Sequence, residues 1–219
     1  MQHILDYLRD LQKNNNRDWY HSHKKRYEKE CKQPFRDFIG DLIQGLQGYD
    51  PEIRIEPKDA VFRIARDTRF SKDKTPYKTH VSAIISKYGR RGKEHPGFYF
   101  HLEPGRLMLG GGAYFVERSS LDHIWQKIQL EHDRFRSIIE DKNFVEKFEK
   151  IKGDRYKRIP KAYRDFAEKE PHMTNKQYFF MAEMPSEVAL RDDFLDFTLD
   201  YFRAGKPLND FLAEAIPES

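Results

Sequence analysis

Ile4, Leu5, Leu8 and Leu11 recur at helical spacing, which predicts a helix over residues 2–13. Asn14-Asn15-Asn16 breaks that pattern and offers an N-cap to a second helix. Tyr27, Cys31, Phe35, Phe38, Leu42, Ile43 and Leu46 then continue one helical stripe to Gly48, with Pro34 inside it expected to kink or split the helix. From Ile53 to Val116 the period changes to two. Strands are expected at 54–56, 61–67, 79–87, 97–103 and 106–116, with Glu103-Pro104-Gly105-Arg106 as a tight turn joining the last two. Helical spacing returns after Ser119-Ser120 with Leu121, Ile124, Trp125 and Ile128, and continues through the Phe135 and Phe144 segments. Tyr178-Phe179-Phe180-Met181 reads equally as a strand or as a buried helix end. Phe194, Leu195, Leu199 and Phe202 predict a C-terminal helix, broken at Gly205 and Pro207 before a short last helix with Phe211 and Leu212.

Helices over 1–48, strands over 53–116 and helices over 119–216 describe an α+β fold with a mostly antiparallel sheet, expected as a single domain over 1–219. Alternation also sorts the side chains. Phe98, Phe100 and Leu102 should face the core, leaving Tyr99, His101 and Glu103 on the other face. Val81, Ala83 and Ile85 should likewise point inward, opposite His80, Ser82 and Ser86. Phe62 and Ile64 go inward while Arg63 and Asp67 go out. Leu107, Leu109 and Phe115 are assigned to the core. Gly110, Gly111 and Gly112 leave bare backbone that a ligand or another chain segment can approach. Were these strands neighbours, one face would gather Arg63, Asp67, His80, Tyr99, His101 and Glu103 beside a glycine floor. Such a set combines donors, carboxylates and two imidazoles.

Composition sharpens this picture. With 14% aromatic residues the chain has a core to build, although 35% of it is charged. The region from Arg54 to Lys93 carries twelve Lys/Arg against four Asp/Glu, so the rest of a chain whose formal total is +4 must be net acidic. Within that region Arg63, Arg66, Arg69, Lys72, Lys74, Tyr77 and Lys78 crowd into one short run. Ordering so much like charge is costly unless it pairs or holds an anion, and arginine and lysine both suit phosphate or carboxylate. Lys157 and Arg158 form a second basic cluster able to close over the same anion. Cys31 is the only cysteine, which excludes an internal disulfide and a cysteine-rich zinc site. His80, His101, Glu103 and Asp67 form a histidine–carboxylate set, but no spacing resembles H-E-x-x-H or another zinc pattern, so no metal is assigned. No dinucleotide fingerprint or Walker loop occurs, and no cofactor or oligomeric state can be read. No apolar run is long enough for a membrane span, and Met1-Gln2-His3-Ile4 lacks leader character, so a soluble, cytoplasmic protein is the expectation.

Several segments together resemble a known family. These are Asn15-x-Arg17-x-Trp19, the run from Phe62 to His80, Pro96-Gly97-Phe98-Tyr99-x-His101-Leu102-Glu103-Pro104-Gly105, Gly110-Gly111-Gly112-x-Tyr114 and Lys157-Arg158-x-Pro160. They resemble a bacterial and fungal family catalogued as domain of unknown function 2461, over nearly the whole chain. Ala162 stands where that pattern leads one to expect glycine. The resemblance implies that these positions belong together and carries no activity with it.

The residues support three readings of function. In the first, the protein is an enzyme on a phosphorylated or carboxylated small molecule. Arg63, Arg66, Arg69, Lys74 and Lys78 would bind the anion, while His101 with Glu103 or Asp67, and His80, would handle protons. In the second, the basic region 54–93 binds nucleic acid through phosphates, with Tyr99 or Trp19 stacking on bases. In the third, the charge run is a salt-bridged scaffold for protein interaction.

Overall fold

Ile4, Leu5, Tyr7, Leu8 and Leu11 are all buried on one side of the first helix, Gln2–Lys13, as its periodicity requires. The computed structural model describes residues 1–216. Asn16 caps the next helix, Arg17–Ser22, its side chain accepting a hydrogen bond from the Trp19 backbone N–H at 2.9 Å. The long apolar stripe from Tyr27 to Leu46 is interrupted by one π-helical turn, Tyr27–Lys32, before the helix Gln33–Gln47. Pro34 falls at the second residue of that helix, directly after the π-helical turn, which is where the helical run is disturbed.

Four strands, β1 (Val81–Ile85), β2 (Gly97–Glu103), β3 (Arg106–Ala113) and β4 (Tyr178–Met184), form one antiparallel sheet in the order β1-β2-β3-β4. The α+β class holds, but the strand-rich span begins later than expected. Residues 54–56 form no strand, and 61–67 make only isolated bridges, Val61 with Ala83 and Ala65 with Tyr77. Conversely, the run from Tyr178 to Met181, which fits a strand or a helix end equally, lies in β4, within the span 119–216 otherwise expected to be helical. Phe115 is outside β3 and more than half exposed, so its assignment to the core fails. No helix among the described residues is long and apolar enough to cross a membrane.

The chain gathers into two compact units. The first comprises Met1–Arg91, Tyr99–Leu109 and Glu183–Leu199. In its core, Phe35 and Phe38 pack on Phe100, and Phe38 stacks on Phe194 at 5.2 Å. The second comprises Gly92–Phe98, Gly110–Ala182 and the chain from Asp200 onward. There Phe98 stacks on Phe202 at 4.8 Å, and Phe180 is enclosed by Phe144 and Phe148. The last helix, Phe194–Ala213, runs unbroken through Gly205 and Pro207, against the expected break. Pro207 denies one N–H to the carbonyl four residues earlier, and burial of Phe202, Leu208, Phe211 and Leu212 along the helix outweighs that loss.

Candidate functional site

β2 alternates as its sequence demands. Phe98, Phe100 and Leu102 are fully buried on one face, while Tyr99, His101 and Glu103 share the other. His101 is itself only 6% exposed, so its polar face is covered rather than open to water. The cover comes from the chain entering β1. The bridge between Ala65 and Tyr77, together with the Lys78 N–H donating to the Ile64 carbonyl at 2.8 Å, aligns residues 78–80 with the sheet. His80 then stacks on His101, ring centroids 4.3 Å apart and planes 26° from parallel. On the other side of Glu103, the Pro104-Gly105 turn, with Gly105 at φ +87°, returns the chain so that Arg106 meets Glu103 across the hairpin. Arg106 Nε lies 2.7 Å from Glu103 Oε1, and its guanidinium is 3.7 Å from Glu183.

The resulting cluster is tight. Ligand-capable atoms of His80, His101 and Glu103 all lie within 4.8 Å of one another. His101 Nδ1 is 3.0 Å from the Tyr99 hydroxyl. His101 Nε2 is buried, has no hydrogen-bond partner, and sits 3.5 Å from Glu103 Oε1.

Electrostatics keep both imidazoles neutral. Burial is the main cause for each, lowering both to about 4. His80 is pushed further by His101 and Lys78, with Glu103 opposing; His101 is pushed further by Arg106 and Lys78. Lys78 is half-buried, and its own pKa is lowered, first by burial and then by Arg63. Its ammonium lies 5.0 Å from the Phe62 ring, and no carboxylate pairs with Lys78 or Arg63 among the described residues.

The remaining predicted residues differ in their surroundings. Arg66 pairs with Asp73 and Thr75, and Arg69 binds Asp67 through two nitrogens. Arg69 holds the Asp67 carboxyl down to about 2, so that carboxylate is committed to the loop and is absent from the histidine group. Lys74 donates to the Thr68 carbonyl, and Lys72 is exposed. Tyr77 is buried against Tyr20, centroids 4.1 Å apart, while its backbone N–H and carbonyl bond to both ends of the Asn15 amide. Its ring therefore serves the aromatic core. Gly110, Gly111 and Gly112 belong to the second unit, where a Cβ on Gly112, at φ +99°, would sit 2.2 Å from the Tyr178 carbonyl oxygen. β4 occupies the space these glycines leave. Lys157 and Arg158 also lie in the second unit and are exposed. Arg106 was missed, although Glu103-Pro104-Gly105-Arg106 signals a cross-strand ion pair wherever the turn is tight.

A family model described as conserved hypothetical protein (DUF2461) matches residues 3–211. The chain belongs to the DUF2461 family. No curated protein and no solved structure matches it.

This DUF2461 chain holds a second histidine–carboxylate group, in its other unit. Glu170 is fully buried and accepts from the His172 backbone N–H at 3.1 Å, with His172 Nδ1 at 2.6 Å and His132 Nε2 at 3.1 Å. Arg136 lies 3.6 Å away. Burial alone would raise the Glu170 pKa, but these partners, His172 foremost, bring it down to about 2. The carboxylate ties the helix His132–Ile139 to the turn Pro171–Thr174, and each oxygen already has its partners. This is a buried structural clasp.

Proposed function

We propose that this DUF2461 protein binds a small anionic molecule at the histidine-bearing face of the first unit. A phosphate or carboxylate group would be held by Lys78 and Arg63 beside His80 and His101. The observation that carries this reading is Lys78. A half-buried ammonium with no carboxylate partner is costly to keep charged, and an anion is the natural compensation. The same anion would raise both imidazoles from their depressed values by offsetting Lys78. A proton could then be exchanged with the bound molecule by His101, which Tyr99 orients. Nucleic acid is a weaker reading of the basic region, because much of its charge is already engaged. Lys87 pairs with Glu52, Arg66 with Asp73 and Arg69 with Asp67, while Arg90 donates to the Lys58 and Val61 carbonyls.

Calorimetric titration of chelator-treated protein with inorganic phosphate and with citrate tests this. Saturable one-to-one binding is expected, weakened at least about tenfold by Lys78→Ala, as befits the loss of a charged hydrogen bond. Arg69→Ala should leave it unchanged. No saturable binding, or an unaltered affinity in Lys78→Ala, would overturn the reading. Steeply salt-dependent binding of a random single-stranded oligonucleotide would move it to nucleic acid.

A further inference from the structure

We propose that His80, His101 and Glu103 form a three-ligand site for a divalent first-row transition metal of the zinc class. Two imidazoles and one carboxylate suit Zn2+ and its neighbours, and three protein ligands leave a further position open to water or substrate. The three donors come from two places in the chain and would be invisible to any local zinc pattern. His101 and Glu103 lie two apart on β2 and so project from one face, and His80 is laid over them by the chain entering β1.

Three observations support an ion there. First, the three donors are gathered in space, and His80 needs only to turn its ring edge from the stack toward the other two. Donors at about 2.1 Å from a tetrahedral ion are about 3.4 Å apart, and here they lie within 4.8 Å of one another. Second, His101 Nε2 is a buried atom with no hydrogen-bond partner, 3.5 Å from a carboxylate oxygen. Buried polar atoms in native proteins are normally satisfied, and a cation at this point would give Nε2 its partner. Third, the outer shell is in place. Tyr99 meets Nδ1 of His101 at 3.0 Å, which fixes the ring and leaves Nε2 for the ion.

Arg106 is the competitor. Its Nε lies 2.7 Å from the Glu103 oxygen nearest His101, and Glu183, 3.7 Å from the guanidinium, offers it an alternative partner when an ion arrives. The site therefore carries a built-in prediction that a purely structural cluster would not make: removing Arg106 should strengthen metal binding. The metal site stands independently of the anion reading, and only the further step, a bound phosphate or carboxylate oxygen filling the open position, rests on it.

The test is titration of the chelator-treated full chain with Zn2+ alone, followed by calorimetry, and with Co2+ followed by its visible absorption. One ion per chain is expected, with a Co2+ spectrum of low coordination number. His80→Ala and Glu103→Gln should each weaken Zn2+ at least about tenfold, and Arg106→Gln should tighten it. His80 is only partly buried and Glu103→Gln is nearly isosteric, so neither variant depends on rebuilding the core. Absence of stoichiometric binding to the unaltered protein would overturn the proposal, as would binding that both variants leave unchanged. If phosphate binds the chelated protein while Zn2+ does not, the anion reading survives and the metal site fails.

Discussion

Lys78 sets its ammonium 5.0 Å from the centre of the Phe62 ring and meets no carboxylate among the described residues. The ring face partly compensates the charge, yet burial and Arg63 still lower the lysine pKa. A group kept in so poor an electrostatic setting costs folding stability unless something outside the chain balances it. Lys78→Met keeps the aliphatic stem and removes the charge. It should raise the stability of the unliganded protein by about 0.5–1 kcal/mol while abolishing measurable phosphate binding. The urea midpoint, read at an unchanged slope, checks the first effect and calorimetry the second. A midpoint that falls would show that the ammonium is already satisfied within the fold.

The two histidines that define this face differ in how legible they were. β2 is bounded at Gly97 and Glu103, as alternation of Phe98, Phe100 and Leu102 predicts, and the same alternation places His101 beside Glu103. Local periodicity suffices there. The stacking of His80 on His101 required knowing which strands neighbour each other, a long-range matter that periodicity does not encode. Val61–Asp67 reads as a strand but is not one. Its register slips between the Val61–Ala83 and Ala65–Tyr77 bridges, so no continuous ladder forms. The basic run misled in another way, since Asp67 and Asp73 absorb Arg69 and Arg66 inside one loop. Net charge counts groups without showing which are spent. Tyr178-Phe179-Phe180-Met181 is undecidable from its pattern because a short apolar run fits a strand or a helix equally well; its partner β3 settles it.

Glu170 makes a pH-dependent contribution whose sign can be worked out. Its folded pKa is about 2 against an ordinary value of 4.5, so between those values the unfolded chain binds more protons than the folded one. The stability it supplies is complete above pH 4.5 and drains away as the pH falls through 2. Glu170→Gln should therefore be less stable than the parent by about 2–3 kcal/mol at pH 7, and the two should converge on acidification. Urea midpoints for both proteins at pH 7, 4 and 2 measure this. A gap that stays constant over that range would mean that the carboxylate's charge is not what His132 and His172 hold.

Gly205 provides a case in which helix propensity and packing predict opposite signs. It lies inside the helix Phe194–Ala213, where alanine is intrinsically better than glycine by about 1 kcal/mol. A Cβ at this position, however, would lie 2.3 Å from two ring carbons of Phe180. That ring is fully buried and held by Phe144 and Phe148, and a Cβ on Gly111 would also meet it, at 2.7 Å, so it has little room to withdraw. Overpacking of this kind costs about 1–3 kcal/mol and exceeds the propensity gain. Gly205→Ala should lower the thermal midpoint on its own. Combined with Phe180→Leu, which shortens the obstructing ring, the same substitution should become neutral or stabilising relative to Phe180→Leu alone. A double-mutant cycle in thermal denaturation reads the coupling directly, and additive effects would show that the helix yields at Gly205 instead of pressing against Phe180.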